Sequence, residues 1–101
     1  MKFPKFEVDD SVIASLAKKY RIKELALFGS VLREDFNEES DIDVLVQFDK
    51  GADLSLFDLF DIQEEFEQVF GREIDLVEKE GLRNPYRRRR ILDTAKVVYA
   101  A

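Results

Sequence analysis

The sequence predicts a small α/β (α+β) two-layer sandwich, in which helices cover one face of a mixed sheet. Segments with helical apolar spacing alternate along the chain with short segments of strand-like spacing, in the order α-β-α-β-α-β-α, followed by one more candidate strand. The 101 residues suit a single domain that spans residues 1–101. Hydrophobic residues at 46% and charged residues at 38% are typical of a globular chain that builds its own core.

The first half of the chain predicts one helix and two strands. Capping residues at 9–11 precede apolar residues spaced for one buried helix face. An apolar run at 24–28 predicts a short buried strand. One helical turn is expected at 30–33, and a polar, acidic loop follows at 34–40. The loop leads into the second strand.

Residues 41–48 have the clearest strand pattern of the chain. Side chains alternate there with a period of two, so one face of the strand is apolar throughout. That face has Ile42, Val44, Val46 and Phe48, and the opposite face has Asp41, Asp43, Leu45 and Gln47. If the apolar face packs on the helices, the two carboxylates lie on the open face of the sheet.

The second half of the chain predicts two helices and a third strand. Residues 54–70 form an amphipathic helix, with Gly71 as its C-terminal cap. Residues 73–78 alternate as a strand does, and the pair Asn84-Pro85 is typical of the start of a helix that reaches about residue 95. The last residues, 96–100, are either a short closing strand or an extended tail.

Composition excludes several classes of site. The chain has no Cys and no His, so thiolate or imidazole metal sites, cysteine nucleophiles and Ser-His-Asp triads are excluded. A bound metal must have oxygen ligands, which favours Mg²⁺, Mn²⁺ or Ca²⁺. The net charge of −6 argues against non-specific, direct binding of nucleic acid. No segment approaches the ~20 apolar residues of a membrane span, and the start lacks the apolar stretch of a signal peptide. We therefore expect no membrane contact and a cytoplasmic location.

Three acidic residues are candidate metal ligands. Asp41 and Asp43 are two residues apart on a strand, so their side chains point the same way and repel each other unless they share a cation. Asp75 lies on the third strand, on the face opposite Ile74 and Leu76. If that strand pairs beside residues 41–48, Asp75 joins Asp41 and Asp43 on one face of the sheet. The alternative is a solvated acidic face, with Asp75 as an edge-strand acid that prevents aggregation.

A glycine-serine pair before the acidic strand is a candidate phosphate site. Gly29 allows a close approach of the backbone, and the Ser30 hydroxyl and nearby N–H groups can hold phosphate oxygens. Arg33 follows three residues later, within reach of the same anion. Taken alone, Gly-Ser is an ordinary turn. The Gly-Ser pair indicates a phosphate site only in combination with the strand before it and the Asp-x-Asp pair after it.

These residues together resemble the signature of the nucleotidyltransferase superfamily of polymerase beta. That signature is Gly-Ser, a spacer of about ten residues, and Asp-x-Asp; here ten residues separate Ser30 from Asp41. The third family carboxylate corresponds to Asp75. The resemblance extends from Leu25 to the NPYRRRRIL segment. It is greatest to the minimal nucleotidyltransferases (MNT), the small prokaryotic members that include MntA-like antitoxins of HEPN/MNT toxin–antitoxin pairs.

The resemblance implies a polymerase-beta-like nucleotidyltransferase fold and a role for each site residue. Gly29, Ser30 and Arg33 would bind the nucleoside triphosphate, expected to be ATP. Asp41, Asp43 and Asp75 would be the catalytic residues and would ligate Mg²⁺, or Mn²⁺ in its place. The chain is expected to have no additional domain for a second substrate, so either the acceptor is small or another subunit recognises it.

The resemblance further implies transfer of AMP to a hydroxyl acceptor, a tyrosine of a HEPN-family toxin, by an antitoxin that forms a homo- or hetero-oligomer. One departure stands against activity: relatives commonly have Gly after the arginine, whereas this chain has Glu34. Two alternatives stay open. One is a non-catalytic antitoxin that neutralises its partner by contact, and the other is one half of a small-molecule, antibiotic-type nucleotidyltransferase.

A basic run near the C-terminus comprises Arg83 and residues 87–90, with no acidic residue among them. Four consecutive arginines spread around all sides of a helix, so the pattern does not predict one basic stripe. The run is interpreted as a solvated helix surface. The alternative is an electropositive rim for a triphosphate or a partner protein.

Overall fold

A computed structural model describes residues 1–101. It contains three α-helices, a four-stranded sheet and a two-stranded N-terminal hairpin. In chain order the elements are β1 (Lys2–Phe3), β2 (Phe6–Glu7), α1 (Asp10–Lys19), β3 (Ile22–Phe28), β4 (Ile42–Phe48), α2 (Leu56–Phe70), β5 (Ile74–Glu78), α3 (Pro85–Thr94) and β6 (Lys96–Ala100). Short 3₁₀ helices lie at Gly29–Leu32 and Lys79–Gly81. No helix is long and apolar enough to cross a membrane.

The sheet is mixed and has the strand order β5-β4-β3-β6. β3 is antiparallel to both β4 and β6, whereas β4 and β5 are parallel. A parallel pair needs a crossover between its strands, and α2 provides it. The pairing of β6 with β3 shows that residues 96–100 form a strand, which the sequence had left open.

One face of the sheet carries the main hydrophobic core. α1 and α2 pack there on alternate residues of the strands, in a cluster of 16 buried residues. Ile13 and Ile62 are fully buried, and Phe66 is 1% exposed. Each side chain of this kind stabilises the fold by about 1.5–3 kcal/mol when fully buried. This cluster is the principal source of stability.

The other face carries a smaller core beneath α3. Ala26, Phe28 and Leu45 face away from the main core and pack with Leu82 and Ile91. The predicted α/β sandwich with a mixed sheet is confirmed. The helices, however, are not all on one face, because the alternate residues of β3 and β4 include three apolar side chains that need cover on the second face. α3 supplies that cover with Ile91.

Capping interactions explain where α1 and α2 begin and where α2 ends. The Asp9 carboxylate accepts hydrogen bonds from the N–H groups of Ser11 and Val12, so α1 begins at Asp10. Ser55 and Asp58 form a reciprocal capping box, which starts α2 at Leu56 rather than at the expected residue 54. Gly71 closes α2 in the left-handed conformation, with φ of 72°.

Candidate functional site

The acidic residues meet where β4 and β5 begin. The parallel register pairs Asp43 with Asp75, so their side chains lie on the same face of strands about 4.8 Å apart. Asp41 precedes β4 by one residue and is two residues from Asp43. Asp43 is half-buried, whereas Asp41 and Asp75 are exposed. All three belong to the face that α3 partly covers, and the open part of that face is therefore acidic.

Asp43 is the residue of this group whose carboxyl has a raised pKa. Burial raises the pKa of its carboxyl above the ordinary value, and the charges of Asp75 and then Asp41 raise it further. Arg33 and Arg87 are near enough to oppose this rise in the pKa. A cation shared by the three carboxylates would relieve both the repulsion and part of the cost of burial.

Gly29 makes room for the Asp43 carboxylate. It directly follows Phe28, the residue of β3 that pairs with Asp43. A Cβ atom added at Gly29 would overlap Asp43 Oδ2 and would stand 3.2 Å from Asp43 Cγ. Its φ of 75° is also in the left-handed region that other residues rarely adopt. Two independent constraints therefore require glycine at this position.

Ser30 joins the turn after β3 to the start of β4. Its hydroxyl donates a hydrogen bond to the backbone carbonyl of Asp41, with an Oγ–O distance of 3.3 Å. Ser30 belongs to the 3₁₀ helix Gly29–Leu32, the helical turn that the sequence predicts. The glycine-serine pair and the Asp-x-Asp pair are thus in direct contact, although ten residues separate them in the chain.

A pocket of about 570 Å³ opens beside the acidic residues. This volume lies within the range of roughly 300–1,000 Å³ that is common for small-molecule sites. The lining residues are Phe28, Gly29, Leu32, Arg33, Arg87, Arg90, Ile91 and Thr94. An apolar wall and three arginines make this pocket suitable for a ligand with both an apolar part and a negatively charged part.

Arg33 and its neighbour Glu34 are placed differently with respect to this pocket. Arg33 lines it, and its Nε atom donates a hydrogen bond of 3.1 Å to Asp35 Oδ1. Glu34 does not line it; its carboxylate lies 4.0 Å from Lys5 Nζ, near the N-terminal hairpin. The side chain of Glu34 is therefore turned toward another part of the surface than the pocket that Arg33 enters.

The basic run separates into residues with different contacts. Arg87 and Arg90 line the pocket together with Ile91 and Thr94, at spacings that place all four on one side of α3. Arg88 donates a 2.9 Å hydrogen bond to the Lys79 carbonyl, and Arg89 lies 3.8 Å from the Asp93 carboxylate on the outer side.

The sequence offered Arg87 and Arg90 only as members of the basic run, under the alternative of an electropositive rim, and did not single them out as lining a pocket. The available signal was their spacing around Ile91, which the helix has to bury: Arg87 lies four positions before it, and Arg90, three positions after Arg87, is its immediate neighbour.

The donor chemistry of the acidic group fits a divalent cation. All its side-chain donors are carboxylate oxygens, which Mg²⁺ and Mn²⁺ prefer. The side chains do not stand in a ready coordination geometry, because no group of three acidic residues is positioned to hold a metal ion as it is. Metal binding would therefore require the three carboxylates to come closer together.

Comparison with known sequences identifies one family. The family model described as nucleotidyltransferase domain matches residues 10–98. A Methanocaldococcus jannaschii protein, provisionally named a protein adenylyltransferase, is 41% identical over 71 residues, which are 70% of this chain and 71% of the relative. Protein adenylyltransferase MntA of Thermococcus cleftensis is 33% identical over 69 residues, or 68% of each chain.

Comparison with solved structures finds the same fold. A provisionally assigned minimal nucleotidyltransferase has a TM-score of 0.70 and 31% identity, over 85% of each chain. A toxin–antitoxin structure with AMP-PNP has a TM-score of 0.73 and 17% identity, over 93% of this chain and 75% of the other. A chain of a Shewanella oneidensis complex, described as tri-AMPylated HEPN toxin with MNT antitoxin, has a TM-score of 0.64 and 17% identity, over 91% of this chain and 70% of the other.

Proposed function

The chain belongs to the nucleotidyltransferase domain family, and from this membership we propose that it is a metal-dependent protein adenylyltransferase that transfers AMP from ATP to a hydroxyl group of a partner protein. The observation that carries the proposal is the register of Asp43 with Asp75 beside Gly29 and an arginine-lined pocket. Carboxylates and arginines come together there at one end of the strands, as the metal-assisted attack of a hydroxyl group on a triphosphate requires.

ATP is proposed to bind in the pocket beside the acidic residues. Arg33, Arg87 and Arg90 bind its phosphates, since guanidinium groups donate charge-assisted hydrogen bonds to phosphate oxygens. The nucleoside lies against the apolar wall of Phe28, Leu32 and Ile91. Ser30 sits at the junction of this pocket and Asp41, where its hydroxyl can exchange the Asp41 carbonyl for a phosphate oxygen.

Asp41, Asp43 and Asp75 are proposed to hold Mg²⁺, with Mn²⁺ as a substitute. When bound, the ion would offset part of the negative charge of the triphosphate and stabilise the leaving pyrophosphate. The acceptor oxygen forms a bond to the α-phosphorus while the bond from that phosphorus to the bridging oxygen of the β-phosphate breaks. The exposed carboxylate of Asp75 takes the proton of the acceptor hydroxyl.

The proposed acceptor is a tyrosine of a HEPN-family toxin, which would make this chain an antitoxin. The names of its relatives as protein adenylyltransferases support a protein acceptor. The described complex of an AMPylated HEPN toxin with an MNT antitoxin supports this class of partner. The second candidate function is neutralisation of the partner by contact alone; large exposed apolar side chains at the start of α2 favour it.

The test is calorimetric titration of the purified protein with ATP, in MgCl₂ and in EDTA. We expect binding that depends on Mg²⁺, followed by transfer of label from α-labelled ATP to a HEPN-family partner. Binding that is equal in both conditions would contradict the metal role. No binding in either condition would contradict the enzyme proposal and leave neutralisation by contact.

Replacement of Arg87 by Gln is expected to weaken ATP binding by about 10-fold or more, because a hydrogen bond to a charged group contributes about 1.5–3 kcal/mol. Arg89→Gln is the matched control, since it removes the same charge from the same helix on the side away from the pocket. Titration of both variants with ATP and MgCl₂ measures the difference. Equal weakening would show that only the overall charge of α3 matters.

A further inference from the structure

The first turns of α2 expose an apolar surface that nothing in the chain covers. Leu56 is 63% exposed, Phe57 78% and Phe60 58%. We call these three residues the α2 patch. Phe60 lies four positions after Leu56 and three after Phe57, so it joins the other two into one continuous surface. Single exposed apolar residues are ordinary, whereas a group that includes two phenylalanines marks an interaction site.

The helix already has another face for the core. Ile62, Phe66 and Phe70 recur at four-residue intervals and are buried against the sheet. Phe57 and Phe60 lie on the opposite side of the helix from that series, given 100° of rotation for each residue. The α2 patch is therefore not a poorly packed part of the core.

The charges around the α2 patch indicate the chemistry of its occupant. α2 contains five acidic residues and no Lys or Arg. Asp58 caps the helix, Glu65 pairs with Lys19, and Glu67 accepts a hydrogen bond from the Ile74 N–H.

The other two acidic residues, Asp61 and Glu64, are exposed, make no ion pair, and lie one turn beyond Phe57 and Phe60. Unpaired acids beside an apolar surface favour a partner with apolar residues flanked by Lys or Arg.

The same charges oppose association with a second copy. If two α2 patches packed on each other across a two-fold axis, Asp61 and Glu64 of both copies would enter one interface. Like charges brought together in this way cost several kcal/mol. A basic partner gains from the same residues.

The α2 patch is remote from the pocket. Phe70 ends α2 just before Ile74, which pairs with Ile42 beside the acidic residues. The helix has 15 residues, so its first turn lies about 20 Å from that end. It also packs on the face of the sheet opposite α3. A protein bound to the patch would leave the pocket open.

We propose that the α2 patch docks an amphipathic basic helix of the acceptor protein and thereby holds that protein while its hydroxyl reaches the site. The inference rests on the proposed function for the identity of the partner as acceptor, but the surface itself is tested separately. Docking at a second surface makes delivery of the hydroxyl intramolecular, which raises its effective concentration without any contact in the pocket.

The test uses a defined probe: a labelled 18-residue amphipathic helix of Leu and Lys, with a Leu and Glu peptide of the same pattern as control. Fluorescence anisotropy measures its binding to the protein and to the double variant Phe57→Ser/Phe60→Ser. Val69→Ser is the control variant, because Val69 is 40% exposed on the same helix but outside the patch. ATP binding is measured in parallel for each protein.

We expect the Leu and Lys peptide to bind the unaltered protein and Val69→Ser, and to bind the double variant at least about 10-fold more weakly. ATP binding should be the same in all three. Equal binding of both peptides, or of the basic peptide to the double variant, would overturn the proposal. So would a concentration-dependent dimer in sedimentation that the double variant loses, since the occupant would then be a second copy. Loss of ATP binding in every protein would contradict only the proposed function.

Discussion

AMP transfer is expected to fall by about 10³-fold or more when Asp43 is replaced by Asn, because a catalytic metal ion contributes several kcal/mol of transition-state stabilisation. Asp43 stands between the other two carboxylates and is the only one of the three that is half-buried. The substitution would remove the proposed central metal ligand while leaving a side chain of nearly the same size. Transfer of label from α-labelled ATP measures the effect.

The same variant should be more stable than the unaltered protein when no divalent cation is present. Burial and like charges raise the pKa of Asp43, so protonation of this carboxyl favours the folded state. That stabilisation is complete below the ordinary pKa and is lost as the pH rises through the raised value. At pH 7 the unaltered protein therefore carries a cost that Asn avoids, and the gap in melting temperature should close as the pH falls.

Glu39→Gln is the control, because Glu39 is an exposed acid in the loop before β4 and takes no part in the site. It should keep full transfer. In MgCl₂ the unaltered protein should gain stability and Asp43→Asn should not, since under the proposal only the unaltered protein binds the ion. A variant at Asp43 that still transfers AMP at a normal rate would refute the central role of this carboxylate.

Replacement of Gly29 by Ala is expected to abolish Mg²⁺-dependent ATP binding. The new methyl group overlaps the Asp43 carboxylate, which must leave its position. The left-handed backbone adds a loss of roughly 1–2 kcal/mol in the free energy of unfolding. Calorimetric titration with ATP measures the first effect, and denaturant unfolding measures the second.

Gly71→Ala separates these two causes. Gly71 has nearly the same φ, 72° against 75°, but a Cβ atom there would meet nothing within 4 Å. Both variants should lose similar stability, and only Gly29→Ala should lose ATP binding. If Gly71→Ala bound ATP equally poorly, general destabilisation rather than the displacement of Asp43 would explain the result.

The strand pattern at residues 41–48 was sufficient to predict the face on which Asp43 lies. Ile42, Val44 and Val46 are buried on one side of β4, as the alternation requires. Asp75 shares the face of Asp43 only if β5 pairs beside β4, and the register of Asp43 with Asp75 shows that it does. Alternation suffices here because a strand with one fully apolar face has a single favourable orientation.

Three features of the structure could not be predicted from the sequence. The hairpin of β1 and β2 has strands of two residues, which are too short to show a period. The side of the sheet taken by α3 depends on which face needs cover, and only the finished sheet shows Ala26, Phe28 and Leu45 together. The position of Arg87 and Arg90 beside the pocket follows from that placement, because their spacing around Ile91 is informative only once the face that Ile91 covers is known.

The division of the protein into two unequal cores also bears on how it can evolve. The main core, built around Ile62 and Phe66, shares no buried side chain with the five-residue cluster beneath α3. Substitutions at exposed residues on the pocket side, such as Thr94, therefore risk little of the folding free energy. Substitutions at these positions could change which nucleotide the pocket binds while the main core keeps the protein folded. Nucleotide specificity could therefore change during evolution with little loss of stability.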